Sequence, residues 1–318
     1  MSKLINLIDF IRTEFNKSLN AFSIPKDPKY LYDPIKYSLK SKGKRFRPII
    51  VHLSGRSFKC DPDDLMKVSL SLELLHNFTL VHDDIMDSDD TRRNVPTLHK
   101  KYDVPSAILA GDGIFTISQL ILGTIQNNPT RLLQKYNKMV LEICEGQALD
   151  KQFEGENKLI LDDYIEMVKK KTGALLGACL SLPAIMANEN SEKVNEFYDA
   201  GRSLGVGFQI HDDIFEIFGE ESVIGKSLGS DISSNKNTAI AIVAKECNRD
   251  EWSKLTNQFD GKDLYKIRKF LEENNVKAKV ENIANSYFLS AFKSLKNLDI
   301  DEKNELYGFF KMIQERSY

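Results

Sequence analysis

Six carboxylates in this 318-residue chain gather at two places, in a pattern that suits a hydrated divalent cation. Residues 81–93 read VHDDIMDSDDTRR. Asp83 and Asp87 are four apart, so on a helix they share a face, with Asp84 beside them. His76 lies two turns earlier on nearly the same stripe. Carboxylates crowded at a helix end repel one another unless a cation or solvent neutralises them, and a single DDxxD is also what a solvated acidic helix end looks like. A second cluster adds weight. Residues 209–220 read QIHDDIFEIFGE, where Asp212 and Glu216 repeat the spacing and Asp213 adjoins them. Both clusters follow a long apolar helix, so they are expected at the same end of a bundle, facing each other as a multi-metal site. Hard oxygen ligands favour Mg²⁺, which keeps waters and completes its octahedron with phosphate oxygens. The segment DDYIE at 162–166 has the same spacing but opens a helix, where carboxylates cap free N–H groups and suit the dipole. Its expected role is structural.

Diphosphates need cations as well as metals. GKRFRP at 43–48 carries Lys44, Arg45 and Arg47. Arg92 and Arg93 follow the first acidic cluster directly. Lys171 and Thr172 lie in KKKTGALL, and Lys226 and Lys236 in GKSLGSDISSNKNT. Arginine grips phosphate oxygens with a planar fork, whereas lysine acts as a point charge. Each alone is an ordinary surface charge; together they supply enough cations for two diphosphates.

The elements that must hold these groups are helical. Periodicity of 3.6 dominates from end to end, strand-like alternation is nearly absent, and most of the nine prolines sit at helix boundaries. Asp61-Pro62 reads as an N-cap followed by proline at the first helical position. From there Leu65, Val68, Leu72 and Leu75 form a stripe running toward Asp83. Further long helices are expected over 104–128, 130–154, 160–188 and 191–218, with shorter surface helices in the charged tail beyond 250. No linker or repeat interrupts the chain, so the reading is one all-α domain over 1–318, a helical bundle with a central cavity.

Composition narrows the function classes. A formal net charge of −2 gives no nucleic-acid footprint. Cys60, Cys144, Cys179 and Cys247 form no CxxC pair, which argues against zinc and for free thiols in a reducing compartment. The N-terminal MSKLINLIDFIRTEF reads as an amphipathic helix and not a signal peptide. No apolar run is expected to reach the roughly 18 residues of a membrane span, and a cytoplasmic protein is the expectation.

With these motifs in order the sequence resembles the trans-prenyl diphosphate synthases, most closely the archaeal geranylgeranyl diphosphate synthases. The resemblance covers roughly residues 35–240. The family's GGKRxRP element corresponds to Lys42 through Pro48, and its first acidic motif to Asp83, Asp84 and Asp87 with the twin arginines behind. Thr97 to His99, Gly111-Asp112, EGQALD at 145–150, Lys171-Thr172 and FQIHDD at 208–213 also fit. The resemblance implies that Lys44, Arg47 and His76, with Arg93, hold isopentenyl diphosphate. Arg92, Lys171 and Lys226 would hold the allylic diphosphate (dimethylallyl, geranyl or farnesyl) and act in catalysis, with Gln209 and Lys236 completing the shell. Asp83, Asp84, Asp87, Asp212, Asp213 and Glu216 would hold three Mg²⁺ ions. Two positions depart from the pattern: Glu216 stands where Asp is usual, and Asn235-Lys236 replaces Gly-Lys, a form that resembles the eukaryotic farnesyl diphosphate synthases.

The implied reaction is ionisation of the allylic diphosphate, attack by the isopentenyl double bond, and proton loss. That scheme needs no side-chain nucleophile, and the sequence displays none. Phe78 lies five residues before Asp83, about 7.5 Å down the helix axis. By resemblance, Phe78 followed by Thr79 implies a twenty-carbon product, although a helical wheel puts Phe78 about 140° from Asp83. Farnesyl or other product lengths are the alternatives. A class I terpene cyclase shares the fold and first motif but has Ser or Thr where Glu216 stands, and has no use for the second diphosphate site. A non-catalytic subunit of a heteromeric synthase typically loses ligands that are kept here. A homodimer is implied by family resemblance.

Overall fold

The computed structural model describes residues 2–40, 43–156, 158–219, 228–261 and 263–315. The helices in chain order are α1 (Ser2–Ala21), α2 (Lys29–Leu39), α3 (Phe46–Ser57), α4 (Pro62–Met86), α5 (Leu98–Lys101), α6 (Val104–Leu122), α7 (Pro129–Phe153), α8 (Leu161–Val168), α9 (Ala174–Met186), α10 (Ser191–Phe218), α11 (Ser230–Ser233), α12 (Ala239–Asn257), α13 (Tyr265–Glu273), α14 (Val276–Asn297) and α15 (Glu305–Gln314). A π-helical turn, Lys169–Gly173, joins α8 to α9. The described strands are β1 (Thr91–Arg92) and β2 (Val95–Pro96), an antiparallel pair with Arg92 opposite Val95. The all-α expectation holds.

Two compact groups of residues are distinguished. The first comprises Met1–Lys138, Ala178–Phe197 and Glu302–Gly308. Helix α1 buries Ile8, Ile11, Phe15 and Leu19, one stripe at helical spacing, as its amphipathic sequence predicts. Helix α4 starts as read: the Asp61 carboxylate accepts from Asp63 N at 2.9 Å and Asp64 N at 3.2 Å, with Pro62 at the first helical position. Its Leu65, Val68, Leu72 and Leu75 are fully buried, each stabilising the fold by about 1.5–3 kcal/mol. Helix α6 packs along α4 through Ala107, Ala110 and Ile114. A Cβ on Gly111 of α6 would lie 2.2 Å from His82 Nε2, so the His82 ring takes the place of a side chain there. Helix α6 also corrects one expectation: it has 19 residues, and an 18-residue window of it reaches a mean hydropathy of 1.4, long and apolar enough to cross a membrane by length and composition. It ends at Leu122, short of the expected 128.

The second group comprises Met139–Gly177, Tyr198–Asp301 and Phe309–Tyr318. Here α14 corrects the reading of the tail. It is a 22-residue core helix that buries Val276, Val280, Ala284, Phe288, Ala291 and Leu295. The buried stripe is one residue wide, and the Lys and Glu residues around it mask its periodicity. Helix α12 breaks at Asn248, whose side chain accepts from Glu251 N at 3.2 Å and caps the second half. All four cysteines are free thiols.

Candidate active site

In the first group the basic residues are sorted by depth. Arg45 adopts left-handed backbone (φ 55°) at the N-cap of α3, which turns its side chain inward. Its guanidinium donates to Glu73 Oε1 at 2.7 Å and to Asn16 Oδ1 at 2.9 Å, and both charges of the pair are buried. Arg45 is therefore a structural residue, and Glu73 is one the sequence reading missed. Its only signal was an acid among Leu72, Leu74 and Leu75. Arg47 is the second residue of α3, half-buried, with its Nε shielded from solvent and lacking a hydrogen-bond partner among the described residues. Burial lowers the Arg47 pKa, an effect offset by Glu73 and reinforced by Arg93. His76 is pushed well below its ordinary value by burial first, then by Arg47, Arg93, Arg92 and Arg45. The neutral imidazole thus sits among guanidinium groups, of which Arg45 is paired with Glu73 and Arg92 with Asp84.

The first acidic motif sits where α4 ends. Asp83 and Asp87 are half-buried, and Asp87 N donates to Asp83 O at 2.8 Å, closing the last turn. Asp84 points inward and accepts from Arg92 Nε at 2.5 Å. Burial raises its pKa to about 6 against the pull of Arg92, with Asp89 and Asp83 pushing the same way as burial. The hairpin that follows explains the twin arginines. Arg93 and Asn94 have φ of 53° and 63°, the pattern of a two-residue type I′ turn. This turn separates the neighbours: Arg92 is tied back to Asp84 and Asp89, while the exposed Arg93 lies against Gly43, where a Cβ would meet its Nη1 at 3.3 Å. Thr97 fastens the hairpin base by donating its hydroxyl to Asp89 O at 2.7 Å. Lys44 is exposed, and its carbonyl accepts from Arg12 Nε at 3.3 Å.

Below the motif, the Phe78 ring lies 4.7 Å from His82 and 5.3 Å from Phe115, half-buried on the α4–α6 core. Phe115 stacks on the fully buried Tyr136 at 6.4 Å. Thr79 turns its hydroxyl onto His76 O at 2.9 Å.

The second group holds the other set. Lys171 and Thr172 ride on the π-helical turn, a bulge of the kind often found at functional sites. The turn fits because Gly146 of EGQALD has no side chain: a Cβ there would lie 2.3 Å from Lys171 N. Lys171 donates to Asp150 Oδ2 at 2.6 Å. Thr172 donates to Gln209 Oε1 at 3.2 Å, and Gln209 Nε2 to Asp213 Oδ1 at 3.3 Å. Asp213 is buried and accepts two more bonds, from Tyr164 OH at 2.6 Å and Ala239 N at 3.1 Å. Burial raises its pKa to about 7. Tyr164 lies within DDYIE, which the sequence set aside. Asp163 does serve the helix start, accepting from Ile160 N at 3.3 Å, and the helix it starts delivers Tyr164 to Asp213. Nothing in the sequence announced that link. Asp212 is half-buried on the same turn of α10. Lys236 approaches Asp231 Oδ1 at 3.9 Å. A cleft of about 320 Å³ is lined by Asp213, Glu216, Asp231, Lys236 and Lys245 among others. Lys42, Glu220 and Lys226 lie outside the described residues.

Among the described residues no three His, Cys, Asp or Glu side chains converge on one metal position. The donors available are oxygen carboxylates in ones and twos, a set that fits Mg²⁺ with water and phosphate oxygens as further ligands.

A profile of the polyprenyl synthetase family matches residues 28–279. The geranylgeranyl diphosphate synthase of Methanosarcina mazei is 39% identical over 249 residues, 76% of this chain and 77% of the relative. The geranylfarnesyl diphosphate synthase of Natronomonas pharaonis is 36% identical over 238 residues, covering 69% and 70%. The solved geranylgeranyl pyrophosphate synthetase of Pyrococcus horikoshii superposes with a TM-score of 0.88 at 30% identity, covering 99% of this chain and 98% of that one. The chain belongs to the polyprenyl synthetase family and is a prenyltransferase of the trans type.

Proposed function

We propose that the chain is a Mg²⁺-dependent geranylgeranyl diphosphate synthase, one catalytic domain over 1–318 that condenses isopentenyl diphosphate with allylic diphosphates and releases diphosphate. The observation that carries this reading is the cationic surround of His76, built by Arg47, Arg92 and Arg93 next to an acidic helix end. A cation site beside a metal-binding carboxylate pair suits a reaction with two diphosphate substrates.

In this reading Lys44, Arg47, Arg93 and neutral His76 hold isopentenyl diphosphate. The orphaned Arg47 Nε and the imidazole lend N–H donors to an anion, and the fixed position of the bound diphosphate brings the double bond to the allylic carbon. Asp83, Asp87 and Asp212 hold Mg²⁺, three ions by family resemblance. Bound magnesium stabilises the charge that builds on the departing diphosphate. Lys171, Lys226, Lys236 and Arg92 add cations for the same charge. Asp84 and Asp213 act one step back, Asp84 by aiming Arg92 and Asp213 by aiming Gln209.

Relatives of nearly equal identity carry names with different product lengths, so the product is argued from the chain itself. Phe78 with Phe115 behind it makes an aromatic floor that supports a twenty-carbon limit. The exposed Leu109 and Leu120 of α6 share one helix face and support a homodimer. The proposed compartment is the cytoplasm, where four free thiols persist.

The test is incubation of the purified chain alone with Mg²⁺, isopentenyl diphosphate and each of the dimethylallyl, geranyl and farnesyl primers, with products separated by chromatography. A linear twenty-carbon diphosphate from all three is expected. A hydrocarbon made without isopentenyl diphosphate points to a cyclase, and no turnover by the chain alone points to a subunit of a heteromeric enzyme.

A further inference from the structure

The resemblance groups Glu216 with the metal-binding acids, but the structure gives its carboxylate another attachment. Oε1 accepts from Ser230 Oγ at 3.0 Å and from Asp231 N at 3.1 Å. The Glu216 backbone carbonyl accepts from Gly229 N at 3.3 Å. Gly229 has φ 80° and a Cβ there would lie 2.6 Å from the Phe259 ring, so this turn accepts only glycine. Three consecutive residues, 229 to 231, are thereby pinned to one residue of α10.

The pinned turn leads directly to Lys236. Lys236 N donates to Asp231 O at 2.9 Å, and its ammonium approaches Asp231 Oδ1 at 3.9 Å. Beyond Lys236, Ala239 N donates to Asp213 Oδ2 at 3.1 Å. Residues 229–239 are thus clamped at both ends by two acids one helical turn apart, Asp213 and Glu216. Lys236 lies between the clamps.

We infer that Glu216 is a positioning residue that fastens the Lys236-bearing segment to α10 and so sets where Lys236 meets the allylic diphosphate. The inference rests on the proposed function above, which places Lys236 at that diphosphate. It explains the one departure in the second acidic motif. Glutamate is longer than aspartate by one methylene, and the extra reach lets the carboxylate meet the N-terminus of α11. Asp212 keeps the ligand role.

Two variants separate positioning from metal binding because the two roles order them oppositely. Glu216→Gln keeps a carbonyl oxygen that accepts from Ser230 and Asp231, and loses the negative charge a metal needs. Its amide nitrogen falls at Oε2, which has no hydrogen-bond partner among the described residues. Glu216→Asp keeps the charge and loses the reach. With steady-state kinetics in farnesyl diphosphate and in Mg²⁺, positioning predicts Glu216→Gln within about threefold of wild type in kcat and in Mg²⁺ half-saturation. Glu216→Asp is then expected to raise KM for the allylic substrate about tenfold, the size of one or two lost charge-assisted bonds, with a smaller change in kcat. The inference is overturned if Glu216→Asp behaves as wild type while Glu216→Gln loses activity and needs more Mg²⁺. A wild-type chain that does not elongate any primer would instead overturn the proposed function, so the two failures are distinct.

Discussion

Single side chains in this protein differ by what surrounds them more than by type. Lys44, Arg45 and Arg47 are adjacent cations in sequence, yet only Arg45 is locked in a buried pair with Glu73. Glu73→Gln leaves that guanidinium buried without its counter-charge, and about 3 kcal/mol of stability is expected to be lost, read by denaturant unfolding. The same change made at a solvated surface pair would be nearly silent. Phe78 presents the opposite case, a residue whose removal changes product before stability. Phe78→Ala is expected to lengthen the product by one or more five-carbon units, read by chromatography of the dephosphorylated alcohols. An unchanged product spectrum removes Phe78 from the floor of the pocket. The sequence made Asp83, Asp87 and Arg92–Arg93 legible because i, i+4 spacing and short offsets survive in one dimension. It did not reveal Glu73 or Tyr164, because their partners, Arg45 and Asp213, are 28 and 49 residues away and are met only after folding.

At the scale of elements, the positioning devices are short irregular pieces attached to long helices. The type I′ hairpin splits Arg92 from Arg93, and the π-helical turn presents Lys171 and Thr172. Neither was legible. Two-residue strands are too short to alternate, and a π turn shares its composition with an ordinary helix. The long helices were legible where a wide apolar stripe repeats, as in α4, and misread where a narrow stripe is crowded by Lys and Glu, as in α14. The π turn depends on Gly146. Gly146→Ala places a methyl against the Lys171 backbone, so kcat/KM is expected to fall at least tenfold. The binding of isopentenyl diphosphate, assigned to the first group of residues, stays within about twofold by calorimetry. Equal loss in both would show general unfolding and not displacement of the turn.

For the molecule as a whole, stability should carry a pH signature from a histidine remote from the acidic motifs along the chain. His52 of α3 is half-buried, its Nε2 has no hydrogen-bond partner among the described residues, and burial, with Arg56, lowers its pKa to about 4. Its folded pKa lies below the unfolded value near 6.5, so the unfolded chain binds the extra proton first. His52 therefore imposes no penalty above pH 6.5, and its destabilisation grows as pH falls toward 4. At its full extent the difference is about 3 kcal/mol. His52→Leu is expected to flatten the loss of stability between pH 6.5 and 4 by that amount, followed by chemical denaturation across the pH series. An unchanged slope would mean that His52 titrates alike in both states.

The central claim is that the acidic end of α4 holds magnesium for an elongation reaction, and Asp83→Ala tests it most directly. The measurement is the rate of diphosphate release from farnesyl and isopentenyl diphosphates at saturating Mg²⁺, wild type against variant. A fall of about a thousandfold is expected, equivalent to roughly 4 kcal/mol of lost transition-state stabilisation. Retention of most of the wild-type rate would contradict the assignment of Asp83 to the metal.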